Sequence, residues 1–438
     1  MASDTRFSEI LSGSAWALSA RVVATGLGLV TSIVIARFYG AEVMGIVAVL
    51  NSFLMLAAIF TVFGTNTSIL RLLPEYLANY SPTSAFKLYR KTQYFVAGLS
   101  VATGALFFLG SGFIADTVFS KPHLQFYFAL AALFILFQSL IDLNTQAIRG
   151  VRLIRVFAFM QLLPSLSKLI ILITITIFFF HPDNPIYAMF ASITITALAG
   201  LWIMERIFRQ KISPQDSLHL MPLRDILHIS LPMLIGAGVY FILKQIGVLM
   251  LGAYRPEVEV GYYAAAVKLA TLTAFVFQAF NSMVAPKISE LFHTDKIDEL
   301  FYVAKKSTKL ILWTTTPILV FLIVLGRPVL SLMYGADFTV AYRVLVILVI
   351  SQFINGICGA TGPFMNMTGH QKVLSNIIVC AAVLCIVLNC FLIPLFGMTG
   401  AAVSATFGIL FWNFSVLFYM KKKFGRTIIY IPFYTKNV

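Results

Sequence analysis

The sequence predicts an all-α membrane protein whose twelve transmembrane helices form two six-helix bundles. Three observations predict it. Of the 438 residues, 59% are hydrophobic and only 11% are charged, more apolar surface than a soluble core can hide. Apolar runs of about 20 residues, the length that crosses a bilayer, recur along the whole chain. The pattern also repeats at an offset of 216 residues: Ser14 meets Ser230, Gly45 meets Gly261, Ala48 meets Ala264, Leu56 meets Leu272 and Ala58 meets Ala274.

The first run, 14–36, carries Arg21 and ends at the corner Arg37-Phe38-Tyr39-Gly40. The second is 44–65. The next four are 93–112, 124–145, 155–180 and 186–206, with Asp142 expected near the end of the fourth. A polar linker over 208–225, with Pro214 and Pro222, separates an N-terminal bundle (1–207) from a C-terminal one (226–438). The second bundle repeats the plan. Its first run, 228–251, carries Lys244 and turns at Ala253-Tyr254-Arg255-Pro256 into 260–285. The last four runs are 309–326, 341–361, 373–393 and 400–420. Six spans per half give both halves the same orientation, related by an axis along the membrane normal.

The net charge of +15 in a soluble chain would suggest nucleic acid. Here the basic residues lie in loops, which points to topology and anionic lipid and to no nucleic-acid partner. With the N-terminus inside, twenty-three of the 32 lysines and arginines fall in cytoplasmic segments and five outside. The positive-inside rule therefore predicts that both termini are cytoplasmic. The inside loops at 66–92 and 287–308 are long enough for short helices on the membrane surface. The outside loops are short and leave no room for an outer catalytic domain. Met1 to Gly13 is mixed in charge and the run after it is long enough to span, so no cleaved signal peptide is expected.

Catalytic signatures are absent, and the expectation is not an enzyme. The histidines (His123, His181, His219, His228, His293 and His370) form no HExxH-like pair, and no Walker loop, GxGxxG or GxSxG occurs. Cys358, Cys380, Cys385 and Cys390 sit in apolar runs without metal-ligand spacing and read as small hydrophobes. No cofactor and no metal is implied.

The informative residues are four cations inside spans: Arg21, Lys168, Lys244 and Lys268. A charged side chain in a membrane-length helix is costly and marks a functional site by default. At helical spacing, Arg21 shares a face with Ser14, Thr25, Gly28 and Ser32, and Lys168 with Gln161 and Ser165. Lys244 shares one with Ala237, Tyr240 and Gly247, and Lys268 with Gly261, Ala264, Thr271, Phe275 and Gln278. Small and polar neighbours suit a hydrated cavity wall. The four would make a ladder of positive charge for an anion, with Arg21 roughly 10 Å inside one end of its span and Lys244 and Lys268 roughly 10–12 Å inside the other. Snorkelling of long side chains to headgroups is the competing account. Gln245, Asn281, Gln352, Asn355 and Asn389 either line the same cavity or bond between helices.

Three stretches resemble a known family. Ala36-Arg37-Phe38-Tyr39-Gly40-Ala41-Glu42-Val43-Met44-Gly45 is similar to the corner after the first span of the polysaccharide-biosynthesis exporters, the Wzx-type O-antigen flippases. Val260-Gly261-Tyr262-Tyr263-Ala264-Ala265-Ala266-Val267-Lys268 and the basic corner Ile148-Arg149-Gly150-Val151-Arg152 resemble theirs too, the latter echoed by Thr368-Gly369-His370. The resemblance implies a fold like that of the multidrug and toxin extruders, two bundles around a V-shaped cavity lined by spans 1, 2, 7 and 8. It implies a multi-pass protein of the bacterial inner membrane and a substrate: an O-antigen or related lipopolysaccharide repeat unit on undecaprenyl pyrophosphate. This lipid-linked oligosaccharide would pass from the cytoplasmic to the periplasmic leaflet. Membrane lipid, a polysaccharide polymerase and a chain-length regulator are the further partners it implies. Arg21, Lys244 and Lys268 match the family's basic cavity lining in type and rough place. Related peptidoglycan-precursor flippases usually carry two additional spans, missing here. The alternative is a drug or cation antiporter of the same fold, which calls for an intramembrane carboxylate.

Overall fold

The computed structural model describes residues 2–209 and 220–430, and nearly all of them are helical. The expected linker over 208–225 lies largely outside the described residues. Fifteen helices of at least seven residues organise the chain. They are α1 (Ala2–Val62), α2 (Thr65–Asn79), α3 (Pro82–Leu109), α4 (Gln125–Gly150), α5 (Ile154–Phe178), α6 (Asn184–Arg209), α7 (Leu223–Tyr254) and α8 (Glu257–Thr271). There follow α9 (Ala274–His293), α10 (Ile297–Val324), α11 (Gly326–Tyr334), α12 (Tyr342–Cys358), α13 (Thr361–Met367), α14 (Gln371–Phe396) and α15 (Met398–Phe424).

Among the described residues, ten helical stretches are long and apolar enough to cross a membrane. One of them, Leu18–Val62, is 45 residues long and serves as two spans. It bends at Gly40, whose φ of 82° a side chain would oppose. The remaining crossing is made in two pieces, α8 and α9, interrupted at Leu272 and Thr273. That accounts for twelve spans in a multi-pass membrane protein. The internal repeat is visible in where helices begin. Pro82, Gln125, Ile154 and Asn184 start α3 to α6; Ile297, Tyr342, Gln371 and Met398 start α10, α12, α14 and α15, at separations of 215, 217, 217 and 214 residues.

The helices form two compact units. The first holds residues up to Tyr39 and Ile46–Phe241. Its core at the arginine-rich helix ends is built from Ile69, Leu72, Leu73 and Tyr76 of α2, Leu88 and Tyr89 of α3, Leu143 and Ile148 of α4, and Met204 and Phe208 of α6. Without water to compete, polar side chains bond across helices. Tyr89 donates to Asn144 Oδ1 at 2.7 Å, Thr61 pairs with Ser139 at 2.6 Å and Ser68 with Ser230 at 2.7 Å. Helix α2 supplies the surface helix expected in the 66–92 loop, one face of it buried in this core.

The second unit holds Ile242–Val438 together with Gly40–Gly45. Its core packs Ile288 and Leu291 of α9 against Leu300 and Ala304 of α10, Phe364 and Met365 of α13, and Met420 of α15. Asn413 links three helices: it accepts from Thr361 Oγ1 at 2.8 Å and donates to Asn355 Oδ1 at 3.0 Å. Asn355 is thus an interhelical bonding residue. Cys358 and Cys385 are buried as small hydrophobes, Cys380 and Cys390 are exposed, and all four are free thiols.

The tightest helix crossing of this unit joins Gly40–Gly45 to α8. A Cβ on Gly45 would lie 1.9 Å from the Glu257 carbonyl oxygen, and one on Gly261 would lie 1.9 Å from the Ala41 carbonyl oxygen. Ala41 and Glu257 are themselves 216 positions apart, so the contact is reciprocal across the repeat. Glycine permits backbones in a membrane to approach this closely. Beside it, Glu259 accepts from the Met398 backbone N–H at 3.2 Å, binding the start of α15, and pairs with Arg255 at 3.4 Å.

Candidate functional site

Each predicted cation falls on a spanning helix. Arg21 and Lys168 belong to the first unit, Lys244 and Lys268 to the second. Depth along each helix follows from 1.5 Å per residue. Lys168 lies ten residues before the end of α5 at Phe178, and Lys244 ten before the end of α7 at Tyr254. Lys268 lies eleven after the start of α8 at Glu257. Each of the three is therefore about 15 Å from that end of its own helix. The helices overrun their apolar runs into the corners, so Lys244 and Lys268 lie further from their helix ends than from the ends of those runs. Arg21 lies on α1, seven residues after its apolar run begins at Ser14, roughly 10 Å along the helix.

The local chemistry differs from helix to helix. Arg21 and Lys244 are exposed on the protein surface and Lys168 is half-buried. A Cβ on Gly236 would meet nothing within 4 Å, so open space adjoins the Gly236, Tyr240, Lys244 face. One turn beyond Lys244, a Cβ on Gly247 would come 3.1 Å from the Tyr263 hydroxyl, which marks the packing of α7 on α8. Lys268 is exposed in the last turn of α8, immediately before the break at Leu272 and Thr273. A helix C-terminus carries partial negative charge and favours a cation there. Thr271 closes that turn by donating to the Lys268 carbonyl at 2.9 Å, and Thr25 does the same for Arg21 at 3.0 Å. In α5, Pro164 stands one turn before Lys168, and Ser167 donates back to Leu163 O at 2.7 Å. The side chains of Ser14, Phe275 and Gln278 lie outside the described residues. The carboxylates of α7 and α8 lie only toward helix ends, at Asp225, Glu257 and Glu259, and α5 has none.

Asp142 was misplaced by hydropathy. The apolar run stops at 145, but α4 continues to Gly150, so Asp142 lies eight residues, about 12 Å, inside its helix end. It accepts from Gln138 Nε2 at 3.4 Å. Thr145 Oγ1 and Gln146 Oε1, on the next turn of the same face, are buried without a hydrogen-bond partner. The signal was present as polar residues at helical spacing: Gln138, Asp142, Thr145, Gln146 and Arg149.

Known proteins share this architecture. Residues 232–391 match the MatE family. A lipid II flippase, MurJ, in an inward closed conformation superposes with a TM-score of 0.72 at 16% identity, covering 94% of this chain and 87% of that one. A multidrug resistance MATE family transporter of the MOP superfamily, inward-facing, gives 0.67 at 12% identity over 94% and 98% of the two chains. In sequence, the chain is 25% identical over 167 residues to a probable low-salt glycan biosynthesis flippase, Agl15, of Haloferax volcanii. That match spans 38% of this chain and only 35% of the relative's length. Residues 10–292, well over half of the chain, match the family described as Polysaccharide biosynthesis protein. Sequence and architecture thus agree that this chain belongs to the polysaccharide biosynthesis protein family.

Proposed function

We propose that the protein is a flippase for a lipid-linked oligosaccharide. It carries an O-antigen or related repeat unit on undecaprenyl pyrophosphate from the cytoplasmic to the periplasmic leaflet by alternating access. The observation that carries this reading is the set of three lysines, each ten or eleven residues inside an end of its spanning helix, on helices whose carboxylates are confined toward the ends. A pyrophosphate is expensive to bring out of water. Ammonium groups lower that cost through charge-assisted hydrogen bonds. Lys168, Lys244 and Lys268 would line the anion's path, and Arg21 would receive it at the entrance. The broken α8–α9 crossing fits a binding site, since transporters place substrates at discontinuous helices near the midplane. The names of the glycan flippase and the lipid II flippase similar to this chain point the same way. The protein would sit in the inner membrane with both termini cytoplasmic, handing its product to a polymerase and chain-length regulator. Reporter fusions after Lys423 and in the segment after Tyr334 check the orientation; a periplasmic reporter active at the C-terminal fusion reverses it.

Proteoliposomes holding the protein and a polyprenyl-pyrophosphate-linked glycan test the function. A lectin outside should gain access to glycan initially inside within minutes, and empty liposomes should show none. Equal access with and without protein would overturn the reading. Asp142 favours a second reading, a drug or cation antiporter, because it supplies the intramembrane carboxylate such a carrier needs. Cells expressing the protein would then gain drug resistance that Asp142→Asn abolishes; the flippase reading expects no resistance to lose.

A further inference from the structure

A groove of about 440 Å³ opens between α5 and α6 in the first unit. Its size falls within the roughly 300–1,000 Å³ of small-molecule sites. Two arginines, Arg155 and Arg206, stand in it over an apolar floor of Val156, Phe159, Trp202 and Ile203. Trp202 is 61% exposed and Phe159 48%, so the groove is open. Arg155 is in the first turn of α5 and Arg206 in the last turn of α6, so both guanidiniums lie at the same, arginine-rich end of the bundle.

The charge here is uncompensated. Glu205, next to Arg206 in sequence, is already bonded by Arg90 and by Arg209 at 3.3 Å. Arg206 instead lies over the Trp202 ring, 5.2 Å from its centroid. Among the described residues no carboxylate pairs with Arg155 or Arg206. Two cations above aromatic and aliphatic side chains, with tryptophan at the helix-end level, match an amphiphile with an anionic head and an apolar tail. The positive-inside bias assigns this end to the cytoplasmic leaflet. Basic pockets between spanning helices on that side hold anionic headgroups.

We propose that the α5–α6 groove is a binding site for an anionic glycerophospholipid of the cytoplasmic leaflet, its phosphate held by Arg155 and Arg206 and one acyl chain laid over Phe159 and Trp202. The occupant is a bilayer phospholipid rather than the transported glycolipid, because the apolar floor leaves an oligosaccharide no polar partner. Arg155 and Arg206 are not among the cations proposed to conduct the pyrophosphate, so loss of one reading leaves the other intact.

The test titrates the full-length protein in detergent with phosphatidylglycerol, phosphatidylcholine and undecaprenyl phosphate, and reads bound lipid by native mass spectrometry. The wild type should retain phosphatidylglycerol in preference to phosphatidylcholine. The Arg155→Gln, Arg206→Gln double variant should bind it about thirtyfold more weakly, the expected loss for two surface arginines. The Lys421→Gln, Lys422→Gln variant, equal in charge change but at the end of α15, should bind like wild type. Phosphatidylglycerol with brominated acyl chains should quench the wild type's tryptophan fluorescence more than that of Trp202→Phe. Folding of each variant is confirmed by its size-exclusion profile. Equal retention by the Arg155→Gln, Arg206→Gln variant, or quenching independent of Trp202, would overturn the site. Preferential capture of undecaprenyl phosphate would overturn the assigned occupant.

Discussion

Replacing Lys244 and Lys268 together by glutamine is expected to lower glycan export at least about a hundredfold, since each lost charge-assisted bond is worth about 1.5–3 kcal/mol. Both residues lie about 15 Å from their helix ends, one on each side of the corner at Arg255 and Pro256. A lysine that only anchors to headgroups would tolerate glutamine, so the double variant separates charge recognition from snorkelling. If positive charge is what the site supplies, Lys268→Arg should keep more export than Lys268→Ala, and Lys268→Glu should be worst. The single glutamine variants should fall between wild type and the double. The measurement is surface polysaccharide restored in a strain lacking its exporter, with each variant's membrane abundance checked by blot. Near-normal export by the double variant at normal abundance would show that the lysines do not carry the substrate's charge.

The second large effect is expected at the glycine crossing. Gly261→Leu and Gly45→Leu should each cut export more than tenfold, because a Cβ at either position would start 1.9 Å from a backbone carbonyl oxygen. Backbone cannot yield as a side-chain tip can, so the helices must part and their close contacts are lost. Alanine should already be harmful at both places, which separates a clash from a loss of flexibility. Gly98→Ala in α3 is the control: its Cβ would meet nothing within 4 Å, and helix propensity favours alanine by about 0.5–1 kcal/mol. Export together with folded yield by size-exclusion chromatography checks both arms. If Gly261→Leu exported at wild-type level, the crossing would have no role in transport.

The two experiments probe different links between sequence and function. The lysines act through charge, and their effect should track the sign of the side chain. The glycines act through volume, and theirs should track size whatever the charge. A Gly261→Ser variant should therefore fail much as alanine does, although serine is polar.

The sequence by itself determined the class of the protein, its twelve crossings and its internal repeat. The physical reason is that a membrane removes water as a partner for the backbone. Each crossing must satisfy its own N–H and C=O groups within a helix, so a local property, apolar length, reports a structural unit. Arg21, Lys168, Lys244 and Lys268 are candidates for the same reason, since a charge in such a run stands out against its neighbours. Where the helices end was not legible, because hydrogen bonding carries a helix past its apolar stretch. That is why α4 reaches Gly150 and holds Asp142 eight residues inside its end, and why α7 runs on to Tyr254 and α8 starts at Glu257. The break at Leu272 and Thr273, the facing of Gly45 and Gly261, and the seating of Arg155 beside Arg206 were decided only by the tertiary structure. The two pairs join residues distant in the chain, and the break falls inside an unbroken apolar run, so no local pattern of hydropathy or charge encodes them.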